Sequence, residues 1–259
     1  METRELLEKM ITDFVRDYQG RNHTMTAWQN PVIGVADAED PLFAELKNII
    51  GPAHAMPSDL VPGAKSVLVY FIPFAGTVGI SNIPDEESSK EWDYACIETN
   101  NMLKDLNICL YSWITEKGYH ASQLPPTYHY DQEKLISSWS HKSAAYIAGI
   151  GKFGVHQMLI TEKGCCGRIG SVITDMRLEP TARTDEEYCL FKTRGICGRC
   201  MERCVNQAFS VREGRGIYDR YKCNEQIYDK IVPHYPIGDG DTCGKCMCGV
   251  PCSFGIPGR

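Results

Sequence analysis

The sequence predicts an α+β fold in which an N-terminal α/β domain, residues 1–180, is followed by a smaller cysteine-rich domain, residues 181–259. Three observations predict it. Helical and strand-like patterns alternate through the first part. Eleven of the 13 cysteines follow position 160, nine of them between Cys189 and Cys252. The residues after 181, rich in Gly, Cys and Arg, carry too little regular pattern to close a core without bound metal.

Glu2 to Tyr18 sets Leu6, Leu7, Met10, Ile11, Phe14 and Val15 on one helical face, with Gly20 as its stop. Pro31 to Val35 is a short apolar strand. Asp40-Pro41 supplies an N-cap and a first-turn proline for a helix reaching Ile50, with Gly51 just beyond. Ser66 to Phe74, SVLVYFIPF, is β-branched, aromatic and apolar on both faces, as a central strand is. A long helix from Ser88 to Lys117 ends at Gly118, and the acidic Asp85-Glu86-Glu87 before it is a solvated helix start. A short strand at Tyr119 to Ser122, a loop with Pro125-Pro126, a helix from Gln132 to Ala148, and strands at Met158 to Thr161 and Ser171 to Thr174 complete the first domain. In the second, helix-like stretches follow Cys204 and span Asn224 to Ile231.

A chain of 259 residues buries enough surface to hold a core without disulfide staples. No stretch approaches the length of a membrane span, and METRELLEKMITDF lacks the basic-then-apolar order of a signal peptide. The expectation is a cytoplasmic protein without a membrane partner, whose reduced, clustered thiols bind metal or do redox chemistry. A net charge of −6 argues against a broad nucleic-acid footprint.

The cysteines run Cys189-x7-Cys197-x2-Cys200-x3-Cys204, then Cys223, then Cys243-x2-Cys246-x-Cys248-x3-Cys252. Two CxxC pairs, each trailed by further cysteines, outline two four-thiolate sites of the kind that hold ferredoxin-like [4Fe-4S] clusters. Zinc ribbons share the CxxC pair, but 42 residues intervene between Cys200 and Cys243, and the total suits two sites. The local pattern departs from the common ferredoxin form: Val205 follows Cys204 where proline is usual, and Pro251 precedes Cys252. Eight ligands are needed and nine cysteines are present, and the spacing leaves Cys246 and Cys248 in competition for one place.

The stretch CLFKTRGICGRCMERCVNQAF with CGKCMCGVPCSFGIP behind it resembles the double-cluster domain of epoxyqueuosine reductase and its relatives, which include the reductive dehalogenases. The resemblance extends upstream to PSDLVPGAKSVLVYFIPF and to AGIGKFGVHQMLITEKGCCGRIGSVITD, and so covers most of residues 50 to 255. It implies Cys189, Cys197, Cys200 and Cys252 around one cluster and Cys204, Cys223, Cys243 and Cys246 around the other, with Cys248 spare. It also implies a cobalamin between the first domain and the clusters, near Lys152, Phe153, Gly154, Arg168 and Ser171. The same residues have a plainer reading, a structural glycine turn with Arg168 on the surface; GIGKFG also matches GxGxxG, yet a helix precedes it and a strand follows, the reverse of a dinucleotide fingerprint.

The activity so implied is reduction, with single electrons passing from an external ferredoxin- or flavodoxin-type donor through the clusters to the cofactor and its substrate. The alternative is a ferredoxin-like electron-transfer protein that hands electrons to a partner without substrate chemistry of its own. Two departures separate the chain from the tRNA-modifying enzymes. Leu135 stands where the family carries its catalytic aspartate, and the chain ends at Arg259 without their helical-repeat extension, a short form. A small-molecule substrate is therefore expected in place of tRNA. His141, near where the family has an acidic residue, is the candidate proton donor. The adjacent Cys165 and Cys166, in the loop between the two late strands, are either buried thiols or cofactor-facing ones. Cys96 and Cys109 read as packing residues.

Overall fold

The computed structural model describes residues 2–238 and 240–259. Its centre is a three-stranded antiparallel sheet in the order β1 (Val32–Asp37), β2 (Ser66–Pro73) and β7 (Gly167–Thr174). All eight residues of β2 are buried, as its unbroken apolar run requires of a strand covered on both faces. Because side chains alternate, Leu68, Tyr70 and Ile72 pack against α1 (Thr3–Asn22) and α5 (Lys90–Glu116). Val67, Val69 and Phe71 pack on the other face against α2 (Pro41–Ile49) and α6 (His141–Ile147). The pairing is antiparallel throughout, so the first part is α+β and not a parallel α/β layer.

The Asp40 cap is where the sequence puts it, and the long helix takes Ser89 as its cap. Asp40 accepts from Leu42 N–H at 3.0 Å with Pro41 opening α2, and Ser89 caps α5 through Trp92 N–H at 3.2 Å. The short α3 (Pro57–Leu60) precedes β2, and between β2 and α5, α4 (Gly76–Ser81) leads into a turn at Asn82. The first helix runs past Gly20 to Asn22 and stops where His23 adopts a left-handed backbone, φ 53°.

Three expectations are corrected. The helix expected from Gln132 to Ala148 is a hairpin, β3 (Tyr130–Asp131) with β4 (Ile136–Ser137), followed by α6 alone. Asp131 Oδ1 accepts from the N–H groups of Glu133 and Lys134, a local turn that competes with helix, and Leu135 sits at φ 53°. The stretch after Cys204 is a second hairpin, β8 (Phe209–Arg212) with β9 (Arg215–Tyr218). Its two-residue turn, Glu213-Gly214, has positive φ at both positions, the geometry that matches strand twist. Tyr119 to Ser122 makes only an isolated bridge, Ala121 opposite Thr174, and the strand expected at Met158 to Thr161 is β6 (Leu159–Ile160), paired with β5 (Lys152–Phe153) apart from the central sheet.

The cysteine-rich part adds α7 (Leu190–Arg194), α8 (Arg199–Glu202) and α9 (Arg220–Glu225), the last continued by a π-helical turn, Gln226–Ile231. It shares one core with the first part. Phe74, Val78, Trp92, Val155 and Ile160 pack together with Cys189, Cys200, Met247, Cys248 and Val250. Main-chain bonds join the two as well: Cys165 N–H reaches Cys252 O at 3.0 Å and Cys166 N–H reaches Ser253 O at 3.2 Å.

Candidate metal centre

Cys189 is the N-cap of α7, and Gly195, at φ 66°, reverses the chain so that Cys197 and Cys200 return toward it. Cys252 arrives from the C-terminal turn. These four cysteines line a single cavity, with Gly154, His156 and Val250 completing its wall. The Cys200 thiol is pushed up to about 12 by burial and then by the negative charge of Cys252, Cys189 and Cys197. Thiols that oppose one another's ionisation need a cation to share. The donor set, four cysteine thiols lining one cavity, fits a cubane cluster.

The other expected set converges too. Burial first, then charge on Cys223, Cys243 and Cys204, drives the Cys246 thiol upward, and Cys243 is pushed up to about 11 by burial with Cys223 and Cys204 contributing. Cys246 also feels Cys200, so the two sets adjoin. Gly244, at φ 69°, makes the turn between Cys243 and Cys246, and its bare backbone rests on the Trp92 ring, where a Cβ would lie 2.1 Å from Cε2. Cys248 points elsewhere: it is fully buried, 4.0 Å from Cys166 Sγ and 3.6 Å from Asn82 Nδ2.

Two cations face the second set. Lys245, only 2% exposed, donates from Nζ to Asn82 O at 3.1 Å and Pro84 O at 2.7 Å, and Lys142 donates to Gln157 O at 3.2 Å. Burial lowers the ionisation of both, and the nearby cysteine charges oppose that: Cys243 and Cys248 for Lys245, Cys223 and Cys246 for Lys142. Beside Lys245, burial pushes the Asp93 carboxyl up to about 6, against a hydrogen bond from Ser88 and the charge of Lys245. A raised carboxyl contributes stability below its unfolded value near 4 and loses it as pH rises through about 6. Asp93→Asn is therefore expected to flatten the fall in stability between those values, by about 1–3 kcal/mol at 1.36 kcal/mol per unit, read as melting temperature against pH.

A second, more open cleft of about 220 Å³ lies where the hairpin at Leu135 meets α9, walled by Tyr130, Tyr218, Tyr228, Arg220 and Asp241. Cys223 is in its wall, so the second thiol set opens onto this cleft. Leu135 lines it without offering a proton.

The residues expected around a corrinoid do not surround one space. Gly154 belongs to the first thiol cavity, and Lys152 lies over the Tyr146 ring at 5.1 Å with Phe153 beside it. Arg168 bonds Asp241 at 2.8 Å and Cys96 at 3.1 Å; burial would lower its ionisation, but the Asp241 carboxylate beside it raises it. Ser171 is fully buried in β7, accepting from Trp139 Nε1 at 3.0 Å and meeting His141 Nδ1 at 2.8 Å. The five residues are thus divided among separate surroundings and do not form one corrinoid pocket.

His141 is not a free proton donor. It is 7% exposed, its Nε2 meets Pro125 O at 3.1 Å and its Nδ1 meets Ser171, so both ring nitrogens are committed. Burial brings its ionisation down to about 4, against the Pro125 bond and with the help of Arg168. Sequence reasoning missed His156, Lys142, Lys245 and Asp241 because nothing local distinguishes a charged side chain that the fold will bury beside a thiol.

No protein-family model matches the chain, and no curated protein does. Solved structures do. Epoxyqueuosine reductase from Streptococcus thermophilus is 16% identical with a TM-score of 0.56, over 100% of this chain and 68% of that one. The Bacillus subtilis epoxyqueuosine reductase is 16% identical, TM-score 0.55, over 96% and 67%. A catabolic reductive dehalogenase is 17% identical, TM-score 0.57, over 88% of this chain and 30% of its own length. The chain shares the fold of these reductases.

Proposed function

We propose that the chain is an iron–sulfur oxidoreductase. Cys189, Cys197, Cys200 and Cys252 hold one [4Fe-4S] cluster, Cys204, Cys223, Cys243 and Cys246 hold the other, and electrons pass through them to a small molecule in the cleft beside Cys223. What supports this reading is that Cys189, Cys197, Cys200 and Cys252 line one cavity, while Cys223, in the wall of the cleft, lies close enough to Cys204 and Cys246 for their charges to act on one another. When bound, the clusters supply single electrons.

The protein supplies the setting. Cys189 and Cys200 are 7% and 6% exposed, so their side of the first set is kept from water. An external donor of ferredoxin or flavodoxin type meets the protein at Cys197, which is partly exposed and adjoins Ile196, 69% exposed. Lys142 and Lys245 offset the charge of the second set. In the cleft, Arg220 and the tyrosine rings orient the acceptor, and the volume suits a small molecule better than tRNA. In this reading residues 1–180 form the substrate domain, with Tyr130 and Leu135 on its side of the cleft, and residues 181–259 the cluster domain. Ligand thiols must stay reduced, which suits the cytoplasm. Among the described residues no helix is long and apolar enough to cross a membrane.

Anaerobically purified protein is expected to be brown, with about eight iron and eight sulfide per chain. Colourless protein carrying zinc overturns the reading. Because the five residues expected around a corrinoid share no pocket, cobalamin added to that protein is expected to leave on gel filtration, and a retained corrinoid would restore the cofactor.

A further inference from the structure

His156 follows the glycine turn and faces the first thiol cavity with its ring 1% exposed. Met158 N–H donates to Nδ1 at 3.1 Å, so Nδ1 is the accepting nitrogen and the ring proton sits on Nε2. Nε2 lies 3.5 Å from Cys252 Sγ. A ligating thiolate only accepts, so the arrangement that satisfies both contacts has Nε2–H donating to the Cys252 sulfur.

The ring is seated for this. A Cβ on Gly154 would lie 2.5 Å from Cε1 and 2.7 Å from Nδ1 of His156, so only glycine leaves the ring its place. Cys252 is fixed from the other side, where its carbonyl accepts Cys165 N–H, and the Cys165 sulfur lies within 4.8 Å of both Cys252 Sγ and a His156 ring nitrogen. A donor aimed at a ligand sulfur stabilises the more negative, reduced form of a cluster, and such bonds are among the controls on cluster potential.

We propose that His156 is a positioning residue whose Nε2–H bond to Cys252 raises the potential of the first cluster. It thereby sets how readily that cluster takes an electron from the donor. The second set has separate donors, Ala208 N–H to Cys204 Sγ at 3.2 Å and the Tyr218 hydroxyl at Cys223, so the effect belongs to one cluster only. The inference rests on the two-cluster reading, and iron content tests that reading first.

The experiment is an anaerobic redox titration of loaded protein followed by electron paramagnetic resonance, comparing wild type, His156→Phe and His156→Gln. At a fixed poise, His156→Phe is expected to lower the reduced-to-oxidised ratio of one cluster about tenfold, equivalent to about 59 mV for one electron, and to leave the other unmoved. His156→Gln, which keeps an N–H donor, is expected to stay within about twofold of wild type. An unmoved ratio in His156→Phe, or equal shifts in both clusters, overturns the proposal while leaving the two-cluster reading in place. Wild type without iron fails that reading instead. Should His156→Phe not load, pulsed resonance on wild type with ¹⁵N-labelled histidine decides: a histidine nitrogen coupled to one reduced cluster supports the bond, and its absence overturns it.

Discussion

Replacing Cys246 with alanine is expected to cost the protein about half its iron, whereas Cys248→Ala is expected to keep all of it. The two cysteines are separated by one residue, and their spacing to Cys243 and Cys252 fits a ligand at either place. Geometry separates them. Cys246 shares its charge environment with Cys223, Cys243 and Cys204, while Cys248 faces Cys166 and Asn82 in the core between the two parts. Losing one of four thiolates removes a ligand that the site cannot replace from solvent without loss of affinity. Iron and sulfide analysis of the two variants reads the result directly, and the opposite pattern would assign the ligand to Cys248.

Gly164→Ala is expected to be as damaging although it touches no ligand. Gly164 has φ 81°, a backbone that strains an L side chain, and a Cβ there would lie 2.3 Å from Ser253 O and 2.5 Å from Phe254 N. Both are main-chain atoms beside Cys252 and cannot swing aside. The substitution must push the Cys165 loop off the turn that carries Cys252, breaking the bonds from Cys165 and Cys166 N–H to that turn. A loss of roughly 3–5 kcal/mol follows for a strained, overpacked buried site. The first cluster is expected to be lost with it. Thermal unfolding and iron content measure the two effects, and a variant that keeps both would show that this contact does not hold Cys252.

Much of the fold is legible in the sequence because the deciding signals are local. The apolar run of Ser66 to Pro73 needs no partner to declare itself central, and Asp40-Pro41 and Ser89 cap their helices through neighbours within three residues. The two hairpins are not read from it, because apolar spacing suggests helix and outweighs the turn chemistry of Asp131 and of Glu213-Gly214. The thiol sets follow from spacing together with the family resemblance. What the sequence does not carry is which distant group faces a thiol. His156 is 96 residues from Cys252, and Asp241 is 73 from Arg168, pairings that exist only once the chain has folded.

Asn82 illustrates what that distance means for reading mutations. It is fully buried in the turn before α5, and besides the approach of its Nδ2 to Cys248 it holds three hydrogen bonds at once. Its Nδ2 donates to Cys243 O at 3.1 Å, its Oδ1 accepts Ser89 N–H at 3.0 Å, and its carbonyl accepts from Lys245 at 3.1 Å. An asparagine has no place in any list of iron ligands. In a genetic screen for colonies that fail to assemble the clusters, hits would nonetheless gather at Asn82 and at Trp92 beneath Gly244, and a map drawn from cysteines alone would file them as unrelated.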